Sequence, residues 1–272
     1  MGFRKKSLGQ HFLFDRKILG RIAAAVPADK GETILEIGPG QGTLTRELAA
    51  RDFRLVAIEK DRDLVPRLRS EFPEITVIEG DALEVDWHAA VGTDHFSIVG
   101  NIPYNITSPL IDKALTPPRP RVIVFLVQKE VAERVAARPG GAEYGALTVG
   151  VQAVARVERL FTVSAGAFSP PPNVDSAVLR MTPLETSLIA DEQVPDFRKL
   201  VVGLFSFRRK QIGRAVRELT DAGKDQVSRW LALAGIAESR RPQELSPGDF
   251  AKLHAIIRLD GASFPPVHER DG

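Results

Sequence analysis

The glycine-rich stretch Glu36-Ile-Gly38-Pro-Gly40-Gln-Gly42-Thr43 follows a short apolar run and precedes a helical pattern. Glycines in that position let a ligand approach the backbone beside a helix N-terminus. The spacing is G-x-G-x-G, not the G-x-G-x-x-G of dinucleotide binders, and no lysine follows as a phosphate loop requires. Alone, the stretch reads equally as a tight turn. Glu59 ends the next apolar run, and Asp81-Ala82 follow the third. An acid at the tip of a second strand can accept both ribose hydroxyls of a nucleoside. Asp81 stands where it can accept from an adenine amino group. Taken singly, either acid reads as a solvated loop carboxylate. Three successive tips offering Gly, Glu and Asp to one crevice suit an adenosine without a pyrophosphate, and S-adenosylmethionine fits that description.

A fourth tip carries Gly100-Asn101-Ile102-Pro103-Tyr104-Asn105. An amine nucleophile needs acceptors for its protons and a flat partner for its ring. The Asn101 side-chain oxygen and a backbone carbonyl around Ile102 or Pro103 could accept both amino protons of an adenine, with Tyr104 stacked on the base. An Asx turn ahead of a rigid proline is the plainer alternative.

The elements that must hold these residues alternate helix and strand from residue 15 to about 128. Asp15 can cap a helix with the apolar stripe Ile18, Leu19, Ile22 and Val26. Strands are expected at 33–37, 54–58, 75–78, 96–99 and 122–127, with helices at 43–50 and 63–72 between them. Taking Asp63 as cap places Pro66 in the first turn of the second of these helices. Short apolar strands separated by helices predict an α/β fold, a doubly wound, mostly parallel sheet. Segments 146–165 and 175–181 can add strands at its edge. Near Pro183 the character changes. Phe197, Leu200, Val201, Leu204 and Phe205 keep a helical stripe, as do Val227, Trp230, Leu231 and Leu233. Ser246-Pro-Gly-Asp249 has the form of a capping box with proline at the first helical position. The expected division is therefore 1–184 and a helical domain 185–272, ending in a loose tail.

Composition excludes several chemistries. The 272 residues contain no cysteine, which removes disulfides, thiolate catalysis, Fe–S clusters and cysteine zinc sites. The five histidines never fall in an HxxxH spacing, so no metal is expected. The longest apolar run, Val122 to Val127, is far short of a membrane span. Too few residues precede Gln10 for a targeting peptide, and a cytoplasmic protein is expected. The net charge of +2 conceals an asymmetry: residues 1–17 carry +4 and residues 198–217 carry +7, leaving −9 on the remainder. Two basic segments on an acidic body suggest a polyanion partner, although solvated helix faces would look the same.

Asn101-Ile102-Pro103-Tyr104 resembles the Asn-(Leu/Ile)-Pro-Tyr motif of the ribosomal RNA adenine N6-methyltransferases. The resemblance covers nearly the whole chain. Gly9-Gln10-His11-Phe12-Leu13 is similar to the family's N-terminal Gln-(Asn/His)-Phe-Leu. Gln128-Lys-Glu-Val-Ala-Glu-Arg134, Tyr144-Gly145 and Phe168-Ser-Pro-Pro-Pro-Asn-Val-Asp-Ser176 match later blocks. Arg208-Arg209-Lys210 and Arg241-Pro242-Gln-Glu-Leu245-Ser246 resemble the branch that dimethylates 16S RNA. Ile212-Gly213 departs from the pattern, at a position that bears on helix packing.

The resemblance implies a Rossmann-like methyltransferase sheet in 1–184, with the basic segment 1–14 over the cofactor, and an RNA-binding helical domain in 185–272. It implies S-adenosylmethionine held by His11, Leu13, Gly38, Gly40, Glu59, Asp81, Ala82 and Asn101. Asn101, Pro103 and Tyr104 would hold the target amine. Phe168 would stack on the other face of the adenine, though on its own it reads as a core aromatic. His11 on its own reads as a surface histidine. Arg208, Arg209 and Lys210 would bind RNA. The expected substrate is 16S rRNA in an immature small subunit, at two adjacent adenines of the 3′-terminal hairpin, and the enzyme is expected to be a monomer without metal. The rivals are the 23S-directed macrolide-resistance branch, which shares Asn-Ile-Pro-Tyr, and a non-catalytic assembly or RNA-binding factor on the same fold.

Overall fold

The computed structural model describes residues 11–27, 29–262 and 264. Gly9, Gln10, most of the basic segment 1–14 and nearly all of the expected tail lie outside them. The chain divides into two compact units, 1–132 with 156–183, and 133–155 with 184–272.

The first unit begins with β1 (Phe12–Leu13) and α1 (Arg16–Ala24). Asp15 caps α1, its Oδ1 accepting the N–H groups of Lys17 and Ile18 at 2.9 and 3.1 Å. Then follow β2 (Thr33–Ile37), α2 (Thr43–Ala49), β3 (Arg54–Glu59), α3 (Val65–Glu71), β4 (Thr76–Glu79), α4 (Trp87–Val91), β5 (Phe96–Asn101), α5 (Thr107–Ala114), β6 (Ile123–Gln128) and α6 (Lys129–Val135). Leu64, not Asp63, occupies the cap of α3, and Pro66 sits in its first turn. Beyond α7 (Ala146–Gln152) come β7 (Ala155–Val163), β8 (Phe168–Ser169) and β9 (Ser176–Pro183).

Seven strands form one sheet in the order β4-β3-β2-β5-β6-β9-β7. The pairs among β2 to β6 are parallel, and β9 runs antiparallel to β6. Strands β2, β5 and β6 are buried almost end to end, which is why they read as unbroken apolar runs. The chain runs outward from β2 to β4, then returns to β5 on the other side. That reversal opens a crevice at the C-terminal ends of the strands. Register aligns those ends: Ile37 lies opposite both Ile58 and Gly100, and Glu59 lies opposite Glu79. A Cβ on Gly100 would stand 2.7 Å from the Ile37 carbonyl oxygen, so only glycine lets β5 approach β2 this closely just before Asn101. A second, two-stranded sheet pairs β1 with β8, Leu13 opposite Phe168.

The second unit holds α7, α8 (Val194–Ser206), α9 (Ile212–Thr220), α10 (Lys224–Ala234) and α11 (Pro247–Leu259). Two expectations are corrected here. Residues 146–152 form a helix rather than an edge strand, packed on α8 and α11. Consequently 133–155 clusters with the C-terminal helices, where a single cut at 184 would have separated them. The Tyr144 hydroxyl ties this segment down by donating to the Leu245 carbonyl at 2.8 Å. The Ser246–Asp249 capping box is present, with reciprocal bonds of 3.0 and 3.1 Å. Among the described residues no helix is long and apolar enough to cross a membrane.

Candidate active site

A cavity of about 240 Å³ opens in the first unit at the strand ends. It is lined by His11, Leu13, Gly38, Gly40, Glu59, Asp81, Ala82, Asn101, Pro103 and Tyr104. The structure thus brings together every expected cofactor residue and three of the four expected catalytic ones. Phe168 is the exception. Its ring is 3% exposed, lies in the core beside Leu13 and does not line the cavity.

The glycine turn carries its left-handed backbone at Gly38 and Gly40, with φ of 66° and 58°. A Cβ on Gly38 would meet nothing within 4 Å, so the turn leaves its backbone open to a ligand. The Gly40 N–H donates to Glu59 Oε2 at 2.9 Å, and the Asp61 N–H donates to Oε1 at 2.8 Å. Glu59 therefore holds the turn in place as well as facing the cavity. Burial raises its pKa, against the backbone bonds, led by those from Asp61 and Gly40, that favour the carboxylate. Asp81 sits differently. Lys60 donates to its Oδ2 at 2.5 Å and the Leu83 N–H to its Oδ1 at 2.9 Å. The Lys60 bond leads in holding its pKa below the ordinary aspartate value, so Asp81 is an ionised acceptor at neutral pH.

Glu36 is a site residue that the sequence offered but did not assign a role. It is 1% exposed in β2, it lines the cavity, and its Oε2 has no hydrogen-bond partner. Burial pushes its pKa up to about 8, with the neighbouring Glu59 charge adding to the shift. The signal was visible: one acid inside the apolar run Thr-Ile-Leu-Glu-Ile. An orphaned buried carboxyl beside a cavity is what a cationic ligand would satisfy.

At the β5 tip the Asn101 amide is oriented. Its Nδ2 donates to the His11 carbonyl at 2.9 Å, which leaves Oδ1 as the acceptor for a ligand. The Pro103 carbonyl already accepts from the Ile106 N–H at 3.1 Å and the Thr107 hydroxyl at 3.3 Å. Of the two carbonyls the sequence left open, Ile102 is therefore the available acceptor. The Ile102 N–H is fixed on the Leu126 carbonyl at 3.0 Å. Tyr104 lies beside the His11 ring, centroids 5.7 Å apart, and its hydroxyl bonds Ser176 Oγ at 2.8 Å. His11 itself donates from Nδ1 to the Pro170 carbonyl at 2.9 Å. The wall formed by His11, Phe12 and Leu13 is thus fastened by β8 and the residue after it.

Arg208 and Arg209 lie exposed in the second unit, in the turn between α8 and α9. The Lys210 ammonium is paired with Glu218 and stands 4.8 Å from the Phe207 ring centre. Among the described residues no three His, Asp or Glu side chains gather as a metal ion would need.

A model of the family described as ribosomal RNA adenine dimethylase matches residues 3–258. The ribosomal RNA small subunit methyltransferase A of Maridesulfovibrio salexigens is 39% identical over 261 residues, covering 94% of this chain and 96% of the relative. The protein of the same name from Geobacter metallireducens is 42% identical over 269 residues, covering 94% and 97%. Among solved structures, a dimethyladenosine transferase from Plasmodium falciparum has a TM-score of 0.80 at 26% identity, over 93% of this chain and 100% of that one. The 23S rRNA methyltransferase ErmE has a TM-score of 0.72 at 29% identity, over 91% and 99%.

Proposed function

Because the chain belongs to the ribosomal RNA adenine dimethylase family, we propose that it dimethylates the exocyclic amine of two adjacent adenines in the 3′-terminal hairpin of 16S rRNA, within an immature small subunit. It is an rRNA adenine dimethyltransferase of the small-subunit type, dependent on S-adenosylmethionine. The small-subunit name of the relatives at 39–42% identity favours this branch over the 23S-directed one. On this reading the enzyme works as a monomer in the cytoplasm.

The observation that carries the proposal is the oriented Asn101 amide, its Nδ2 engaged by His11 and its Oδ1 left as the acceptor at a cavity that Tyr104 also lines. The cofactor supplies a methyl group already activated on a sulfonium. Glu59 accepts the ribose hydroxyls, Asp81 and the backbone around Ala82 face the adenine end, and the turn at Gly38 lets the chain approach closely. Glu36 answers the cofactor's positive charge. The target base leaves its stack to reach the β5 tip, and Tyr104 restores stacking worth about 1–3 kcal/mol. Its amine lone pair is delocalised into the ring, which makes it a poor nucleophile. Asn101 Oδ1 and the Ile102 carbonyl accept its protons, favour a pyramidal nitrogen and stabilise the charge that develops there. Their placement orients the amine for in-line attack. Methyl transfer assayed side by side on small and large subunits from a strain lacking the modification, with the methylated RNA and its nucleosides identified by mass spectrometry, tests the reading. Appearance of monomethyl- or dimethyladenosine only in 23S RNA would overturn it.

Glu36 gives this reading a pH signature. Its folded pKa of about 8 lies above the ordinary 4.5, so the empty protein holds the proton at neutral pH. Its contribution to stability is fully present below about 4.5 and is lost as pH rises through 8. A cation bound beside it favours the carboxylate, so cofactor binding at pH 7 releases about one proton. Calorimetry in buffers of different ionisation enthalpy measures that proton. Glu36→Gln abolishes the release, and heats independent of buffer in the wild type would remove Glu36 from the cofactor's charge.

The RNA contact is assigned to Arg208 and Arg209. Replacing both with Gln weakens RNA binding and lowers the log–log salt slope by at most about 0.7–0.9 for each phosphate released, with cofactor affinity unchanged. Because Lys210 is held by Glu218, Lys210→Gln alters the slope less than either arginine change. An unaltered slope in the double arginine variant would mean these charges only solvate the turn.

A further inference from the structure

We propose that Ser176 is a positioning residue for methyl transfer: from buried β9 its hydroxyl holds the Tyr104 hydroxyl and so fixes the ring on which the target base stacks. The proposal rests on the reading of Tyr104 as that stacking platform. Ser176 is the last residue of the Phe168–Ser176 block, and neither the cofactor site nor the acceptors for the amine use it.

Tyr104 needs such a partner. It opens a single helical turn, Tyr104–Ile106, which has no side-chain cap. Nothing in that short turn fixes the ring, and its hydroxyl is half-buried, where a phenol requires a hydrogen bond. The bond it makes is to Ser176 at 2.8 Å. Ser176 is fully buried, so water does not compete for its hydroxyl. It is also held in a rigid frame. Strand β9 pairs with β6, Ser176 opposite Gln128, and β6 pairs with β5, Leu126 opposite Asn101. The Asp175 carbonyl accepts the Lys129 N–H at 3.0 Å, and Asp175 Oδ1 accepts the Ala165 N–H at 3.0 Å. One strand thus connects the anchor of the ring to the anchor of Asn101. The distance between stacked base and amine acceptors is set by the pleat of β6 rather than by the turn. The charge of Asp175 acts on the phenol as well, adding to the burial that raises its pKa, while the Ser176 bond opposes the shift.

The test is a double-mutant cycle on the full chain. In single-turnover methyl transfer to unmethylated small subunits, Ser176→Ala slows the reaction about 3- to 10-fold and leaves cofactor affinity unchanged. Tyr104→Phe, which keeps the ring and loses the hydroxyl, slows it by a similar factor. The double variant is no slower than the worse single one, because both remove the same bond. The chain has two tyrosines, so carbon-13 at Cζ gives two resonances, and the one missing in Tyr104→Phe shifts in Ser176→Ala. Should Ser176→Ala fail to fold, Ser176→Cys, of similar volume and weaker hydrogen bonding, takes its place in the cycle. Wild-type rate in the serine variant, an unshifted resonance, or losses that multiply in the double variant would overturn the proposal. Tyr104→Ala separates this from the reading beneath it. If that variant is impaired while Ser176→Ala is not, only the positioning role falls. If Tyr104→Ala methylates at the wild-type rate, the stacking platform falls with it.

Discussion

Asn101→Ala is expected to slow methyl transfer by roughly 10²–10³, by analogy with losing one hydrogen bond that strengthens in the transition state. The Oδ1 atom is the acceptor that His11 leaves free, so the substitution removes a contact to the reacting nitrogen. It also leaves the His11 carbonyl without its donor at 2.9 Å. Cofactor affinity falls by less than about tenfold, because Gly38, Glu59 and Asp81 still hold the nucleoside. Asn101→Asp separates orientation from charge. It keeps an acceptor oxygen, but a carboxylate cannot donate to the His11 carbonyl, and two oxygens then face each other. It also places a negative charge near a sulfonium that loses charge as the methyl leaves. Ground-state attraction exceeds transition-state attraction, so turnover falls even where cofactor affinity rises. Single-turnover rates with product nucleosides read by mass spectrometry check both variants. Near-normal dimethyladenosine formation by Asn101→Ala would make the β5 motif structural.

The second large effect is expected at Glu59. Glu59→Ala weakens cofactor binding about 5- to 150-fold, the equivalent of about 1–3 kcal/mol for polar ligand groups left unpaired. The same change strips the Gly40 and Asp61 N–H groups of their acceptors, so the melting temperature falls too. Glu59→Gln discriminates between the two roles. Its single carbonyl oxygen replaces one of the two acceptors, so stability recovers in part, while the ribose loses a charged partner. Asp81→Ala has a smaller structural component: Lys60 is exposed and returns to water, and one backbone donor, the Leu83 N–H, loses its acceptor where Glu59→Ala strips two. Its cofactor loss falls in the same range with a smaller drop in melting temperature. Calorimetric affinity and thermal unfolding measured on all three variants decide this. Wild-type affinity in both alanine variants would remove the cofactor assignment.

The site was legible in the sequence where a short buried strand ends abruptly in a polar residue. Glu59 and Asn101 stand at such ends, Asp81 lies two residues beyond the end of the more exposed β4, and parallel register brings all three to one edge. What was not legible depends on pairings between distant segments. For Phe168 the resemblance implied a base-stacking ring, whereas pairing of β8 with β1 buries it beside Leu13, in keeping with its plain reading as a core aromatic. Ser176 reaches Tyr104 across 72 residues. The choice between the Ile102 and Pro103 carbonyls turned on a local 3₁₀ turn that uses the proline's oxygen. Elsewhere tertiary packing overrode propensity. The run Ala146–Gln152 carries two valines and a threonine, yet packing makes it a helix. Along α10, Val227, Trp230, Leu231 and Ala234 are buried while Leu233 is 69% exposed. Position 234, seven residues after 227, completes the face, and 233 falls outside it.

The wall of the cavity is the first described part of the chain to be made, and its fastening is among the last parts of its unit. His11 and Pro170 are 159 residues apart. At about 5–20 residues per second, roughly 8–32 s of synthesis separate them. Throughout that interval a growing chain already holds Glu59 and, later, Asn101 at their strand ends, but no β8 against which β1 can pair. The Asn101 amide has no fixed carbonyl to choose its orientation, and the nucleoside crevice has no third side. Completion of the site is therefore a late event in the making of the first unit, which waits until Pro170 has left the ribosome.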